Sequence, residues 1–390
     1  MKINGLILTL ILFFGACTSN TNRGNVQTNE ITWNANKYAQ LFEIGVTKTD
    51  TFIRLYTYIQ AQANVPQNKT LVGSFFWGKT KQSGNFSASP GSTEKYYTKI
   101  SKRHRYILLS TVFTRFFAEL NQQHNIVGVD QAKYLCKDIF PQKNKIPSVQ
   151  PTGEINAEAA LNLSPDIVVA YFISNKEKSN LERLNTKKTQ VLFCQSHLEN
   201  HPLGRAEWIT LFGFLTCSEK AFFFSDIEFE YMRLKKDLSE TTPVNVMINL
   251  PYSGTWDVPR QNAYLAILLK DAKTNPVWLA GNRYPGVGSA QIGLELGYQL
   301  LSKANFWINP GMCESIACIK STDPRIAKCL PVLNQKVFQC NLTQEPDGAN
   351  AYWDLGAVHP EYVLSDFAKM FHSEKPDFAT KNYYFYQQLK

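Results

Sequence analysis

The chain has 390 residues, 44% of them hydrophobic, enough for a large core and two lobes. Its formal net charge is +9, but no Lys/Arg run or paired Cys/His framework accompanies the charge, which argues against a nucleic-acid partner. The basic balance favours an anionic small ligand or an anionic membrane surface.

The first 17 residues read as an export signal. They carry one positive charge at Lys2, an apolar stretch from Leu6 to Phe14, and then small residues; the stretch is too short to span a membrane. Gly15-Ala16-Cys17 resembles a bacterial lipobox, in which the cysteine is lipidated and becomes the mature N-terminus. Residues 18–32 form a polar tether suited to hold a domain off a membrane. The expected location is the periplasm, with a lipid anchor at Cys17. Of 8 cysteines, seven lie beyond Cys17. Cys313 with Cys318, or Cys329 with Cys340, could form local bridges in an exported chain, and none has a CxxC spacing.

Residues 33–100 alternate apolar and polar in "LFEIGV", "TFIRLYTYI" and "TLVGSFFWG", which predicts a small β-rich extension. From 101 to 217 the pattern changes to an α/β lobe. "RYILLST" reads as a strand, "FTRFFAEL" as a helix and "NIVGVD" as a strand. "GEINAEAALNLSPDIVVAYF" then gives a short helix led by Glu158, a turn, and the strand Ile167 to Tyr171; "TQVLFC" follows. Residues 218–242 are predicted as a long connecting helix, with Phe223, Ile227, Tyr231, Leu234 and Leu238 on one face and Pro243 as its stop. Residues 243–390 restart the βα pattern as a second lobe with "VNVMINL", "AYLAILLKDA", "VWLA" and "KVFQCNL". Within it, "AQIGLELGYQLLSKANFWINPG" repeats the earlier arrangement, with Glu295 leading a helix and Phe306 to Ile308 forming the strand.

Reactive constellations are sparse. His197 and His201 in "HLENH" are four apart, but Pro202 biases His201 away from helix, so a polar loop is expected and no metal site. "GNRYPGVGS" has the glycines of a phosphate loop without its lysine, and is expected to be an ordinary loop. No GxSxG elbow occurs, and the six histidines make no obvious triad. By contrast, aromatic residues cluster where strands should end: Tyr134, Tyr171, Tyr252 with Trp256, and Tyr352 with Trp353. Arg205 and Arg283 fall in comparable loops, where they could clamp carboxylates. Ligands of open α/β sheets bind beyond strand carboxyl ends, and clefts between lobes are favoured. These eight residues are therefore the candidate ligand set.

The pattern resembles the substrate-binding proteins of ABC importers for iron-siderophores, haem and vitamin B12. The motifs that carry the likeness are "GEINAEAALNLSPDIVVAYF", "HPLGRAEWITLFG" (His201 to Gly213), "FWINPG" (Phe306 to Gly311) and "NAYWDLGAVHPEYVLSDFAKMFHSE" (Asn350 to Glu374). Val277 to Gly288 departs from the usual pattern. The resemblance implies a class III periplasmic binding protein fold, chelatase-like, with two βα lobes joined by one long helix. It implies no catalysis and no covalent cofactor. The ligand would be a metal chelate, a ferric siderophore first, with vitamin B12 or haem as alternatives. Glu158 and Glu295 would dock one lobe each onto an ABC transporter permease dimer. A chelatase-like enzyme and a surface lipoprotein without a transport role are the competing classes.

Overall fold

The computed structural model describes residues 31–58, 68–78, 98–99, 105–218, 223–311 and 313–390. The export signal, Cys17 and nearly all of the tether lie outside these residues. Strands β1 (Thr32–Asn34), β2 (Phe42–Val46), β3 (Asp50–Tyr58), β4 (Lys69–Gly78) and β5 (Thr98–Lys99) form one sheet in that order. The first three pairings are antiparallel and β4–β5 is parallel. This is the β-rich extension that the alternating pattern predicts. Its inner face, with Leu41, Phe42, Ile53 and Leu55, joins the main core.

The first lobe comprises β6 (Tyr106–Leu108), α1 (Thr111–Glu119), β7 (Ile126–Val129), α2 (Ala157–Asn162), β8 (Ile167–Ala170), α3 (Asn175–Glu182) and β9 (Gln190–Phe193). Its four strands are all parallel, in the order β7-β6-β8-β9. Strands β6 and β8 are buried throughout, as parallel strands covered on both faces require.

Two helices lead out of this lobe. α4 (Pro202–Thr216) has His201 as N-cap, Pro202 in its first turn, and Cys217 as a left-handed C-cap at φ 53°. α5 (Phe224–Ser239) is the connecting helix. Its 16 residues span roughly 24 Å at about 1.5 Å per residue, shorter than the sequence pattern suggests, and residues 219–222 fall outside the description. Its buried face is Phe224, Ile227, Tyr231, Leu234 and Leu238, so Phe224 takes the place expected of Phe223.

The second lobe contains β10 (Val244–Ile248), β11 (Thr255–Pro259), α6 (Tyr264–Asp271), β12 (Thr274–Pro276), β13 (Ser289–Gly293), α7 (Leu294–Leu301) and β14 (Phe306–Ile308). It continues with α8 (Ile316–Thr322), α9 (Leu330–Leu333), β15 (Val337–Gln339), α10 (Ala351–Val358), α11 (Pro360–Phe371), α12 (Pro376–Ala379) and β16 (Gln387–Gln388). The sheet order is β12-β10-β14-β15-β16, parallel except for β16, while β11 and β13 pair separately. "VWLA" is not a strand: Val277–Leu279 make a 3-10 turn, and β12 lies just before it.

The lobes share one topology. Each orders its first four parallel strands second, first, third, fourth in chain order. α2 and α7 are therefore equivalent, each leading from the second strand to the third. Even the strand entries match: Asp166 N donates to Arg105 O at 2.9 Å, and Asn305 N donates to Asn245 O at 2.8 Å.

Candidate functional site

A cavity of about 920 Å³ lies between the lobes. Its first wall stands beyond the carboxyl ends of β8 and β9, where Phe172, Ile173, His197 and Leu198 emerge. Ser174 accepts a hydrogen bond from Glu177 N and Glu177 Oε2 accepts from Ile173 N, a capping arrangement that fixes the backbone presenting Ile173. The second wall is the extension sheet, through Tyr58, Leu71 and Val72. The third belongs to the other lobe: Pro259, Tyr264 and Leu265 near the start of α6, with Val287 and Gly288. The loop carrying Val287 is stapled to the α6 approach, since Arg260 N donates to Gly288 O (2.9 Å) and Asn262 N to Gly286 O (2.9 Å).

Arg205 is one of two cations lining this cavity. It sits in the first turn of α4 rather than in a loop. Its Nε donates to Glu199 O at 3.0 Å and its Nη2 to His197 O at 2.8 Å, while the guanidinium stacks 4.0 Å from the centre of the Tyr264 ring. Two backbone carbonyls and a ring neutralise no charge, and among the described residues no carboxylate lines the cavity. Lys178, the other lining cation, is already paired with Glu182 at 2.7 Å. His197 lies against Tyr171 with ring centres 5.0 Å apart. Burial, and next the Arg205 charge, push its imidazole down to about 4, so it is neutral at neutral pH.

The other candidates are scattered. Tyr171 is half exposed and packs on His197, beside the cavity. Tyr134 lies where the loops of the two lobes meet, its ring 3.4 Å from where a side chain on Gly348 would begin. Tyr252 is 83% exposed at the β10–β11 turn. Trp256 does not face the cleft: it is fully buried, its Nε1 donates to Ile248 O at 2.7 Å, and α7 lies so close that only Gly297 fits above it. Arg283 is exposed in a separate groove of the second lobe, with Lys270 and Lys303. Tyr352 and Trp353 belong to helix α10, not to a loop. The first is partly buried under Tyr386, and Trp353 is 66% exposed.

Glu158 and Glu295 each occupy the first turn of their helix and are exposed. Neither is the cap: Asn156 caps α2, and α7 follows Gly293 directly. Cys313 and Cys318 are bridged; Cys329 and Cys340 are buried free thiols. The sequence reading left His197 in a polar loop outside the ligand set, and it missed Phe172 and Ile173. The rule that picked Tyr171, position just after a strand, also applies to Phe172 and Ile173.

Residues 107–296 match the family model described as Periplasmic binding protein. That stretch, nearly half of the chain, is similar to the family and runs from β6 into α7. A curated relative, an uncharacterized lipoprotein of Methanocaldococcus jannaschii, is 23% identical over 284 residues, 69% of this chain. The chain spans 65% of that relative's length. Among solved structures, a periplasmic binding protein from Veillonella parvula superposes with a TM-score of 0.53 at 13% identity, over 74% of this chain and 97% of its own. A periplasmic heme binding protein from Pseudomonas aeruginosa gives 0.51 at 14%, over 74% and 98%. The periplasmic heme-binding protein of Roseiflexus sp. RS-1, in apo form, gives 0.51 at 14%, over 71% and 99%. The fold is thus that of two-lobed periplasmic binding proteins. Among the described residues no helix is long and apolar enough to cross a membrane.

Proposed function

We propose that this protein is the substrate-binding component of an ABC importer. It is anchored by lipid at Cys17 on the periplasmic side, captures an anionic metal chelate between its lobes, and delivers it to a permease dimer. The observation that carries this reading is Arg205: a guanidinium held in place by neutral partners in a cavity with no carboxylate among its described lining residues, its Nη1 free of those hydrogen bonds. A fixed, unpaired cation in a mostly apolar pocket selects anions. The cavity, about 920 Å³, is within the range of small-molecule sites. Ferric siderophores suit this charge best, with haem carrying its carboxylates as the alternative and the less anionic vitamin B12 after it. The cavity serves capture and release, and we assign no reaction to it.

The test is tryptophan-fluorescence quenching of the full chain with ferric siderophores, haem and cobalamin, repeated with Arg205→Ala. Loss of one charged hydrogen bond should weaken an anionic chelate by about 1.5–3 kcal/mol. Unchanged affinity with an intact fold would remove Arg205 from the site, and failure of every chelate to bind wild type would end the transport reading.

A further inference from the structure

The two lobes share a topology but finish one sheet edge differently. In the first lobe the outermost strand is β7, and the chain leading on to α2 returns along its free side. Val129 N donates to Pro147 O at 2.9 Å, Val149 N donates to Val129 O at 2.8 Å, and Gln150 N to Asp130 O at 3.0 Å. The returning segment runs parallel to β7, as an added strand would. The equivalent edge strand of the second lobe is β12. Its connection to α7 forms β13 instead, which pairs with β11. Among the described residues β12 therefore pairs with β10 alone.

A groove of about 690 Å³ lies between β12 and α7, with Leu296 and Leu300 of α7 on one wall. Lys270, Arg283 and Lys303 line it, and among the described residues no carboxylate does. The Lys270 ammonium donates to Gln261 O at 2.9 Å, a neutral partner that leaves its charge in place. Prolines and lysines on an edge strand often serve only to keep other chains away. Pro276 at the end of β12 fits that purpose. The three cations do not, because none of them lies on β12. They come from the end of α6, the loop before β13 and the turn after α7, and all line one concave surface. We infer that this groove receives an extended acidic segment of a second protein, added along β12 as Pro147–Gln150 is added along β7. Strand addition draws affinity from main-chain hydrogen bonds and specificity from alternate side chains. Apolar side chains of the segment would meet Leu296 and Leu300, and acidic ones the cations. The chain's own segments outside the described residues do not supply it. The tether carries one Arg and one Glu, and residues 79–97 and 100–104 are basic. The inference is independent of what the interlobe cavity binds.

The probe is a short fluorescent peptide alternating glutamate and valine, titrated against the full chain by anisotropy at low salt. It should bind wild type, and added salt should weaken it, because exposed charges are screened. The double variant Arg283→Glu, Lys303→Glu sets like charges against the peptide and should weaken binding about tenfold or more. Both side chains are exposed and make no ion pair among the described residues, so the variant should melt as wild type does. The same peptide N-methylated along its backbone keeps its charge but cannot donate main-chain hydrogen bonds, and it should fail to bind. Absence of binding to wild type, equal affinity for the double variant, or equal binding of the methylated peptide would each overturn the inference. Inorganic phosphate and phosphatidylglycerol vesicles are the competing anions. If either bound through Arg283 and Lys303 while the peptide did not, the groove would be a phosphate site and the inference would fall.

Discussion

Glu199 and Glu207 flank the cavity's arginine in sequence, yet neither carboxylate enters the cavity. Glu207 accepts from Lys37 N, Tyr38 N and Ala39 N at 2.7, 2.8 and 2.6 Å. Glu199 accepts from Gln40 N and Leu41 N, both at 2.9 Å, and from Trp208 Nε1 at 3.2 Å. The strap from Lys37 to Leu41 crosses α4 closely enough that a side chain at Gly204 would begin 3.1 Å from Tyr38 O. Asp366 repeats the device at the other end of the chain, accepting from the backbone of Tyr384, Phe385 and Tyr386. Buried backbone donors left without an acceptor cost about 1–3 kcal/mol each. Glu207→Leu should therefore destabilise the fold by about 1–3 kcal/mol, chiefly through the buried Ala39 N donor, and Glu207→Gln by less, since one oxygen remains. Urea denaturation reads this directly, and an unchanged midpoint at constant slope in Glu207→Leu would show that the strap adds nothing. None of this was legible in "HLENHPLGRAEWIT", because the partners lie about 160 residues away in sequence. The prediction that His201 stays outside the helix did hold, for the steric reason that Pro202 supplies.

Elements with strong local patterns were the ones legible in the sequence. β2, β3, β4, β8 and β14 sit where alternation or apolar runs put them, and the helix led by Glu158 ends at its Ser-Pro turn. α10 was not legible: "NAYWDLGAV" follows a strand closely, and its helix rests on the Asn350 cap and on packing against α1 of the other lobe. That contact is ionic at its centre. Arg115 on α1 reaches Asp354 on α10 at 3.3 Å, with both side chains buried. Beside it, His359 lies between Glu361 (2.7 Å from Nδ1) and Glu119 of α1 (3.6 Å from Nε2). Burial opposes a charge on His359, but the two carboxylates outweigh it and lift the ring to about 9. The folded state therefore holds this proton more tightly than the unfolded chain. The resulting stability is fully present below about 6.5 and is lost as pH rises through about 9. A shift of that size corresponds to on the order of 3 kcal/mol. Wild type should lose stability between about pH 6.5 and 9, and His359→Gln should flatten that slope. Parallel slopes for the two proteins would mean the interlobe histidine does not set the pH response.

Across the whole molecule, the repeated topology turns Glu158 and Glu295 into a pair. In a βα unit the helix begins at the carboxyl edge of its sheet, so equivalent helices bring both carboxylates to corresponding edges of the two lobes, the edges from which the cavity is built. Favourable placement near a helix N-terminus explains either one, at about 0.3–1 kcal/mol. It does not explain why both stay exposed without a strong partner. The side chain of Glu295 is 80% exposed, its one ion-pair contact among the described residues being Arg325 at 3.9 Å, and exposed pairs of that kind contribute little. Charges so placed orient an encounter more than they add affinity. If they meet cationic pockets on two permease subunits, the double variant Glu158→Arg, Glu295→Arg should bind chelate and melt nearly as wild type does. It should nonetheless lose uptake and permease association. Each single reversal should lose most of the same activity, because one misaligned lobe displaces the cavity from the translocation path. Normal transport by the double variant with its cognate permease would leave two locally stabilised helix starts and no docking role.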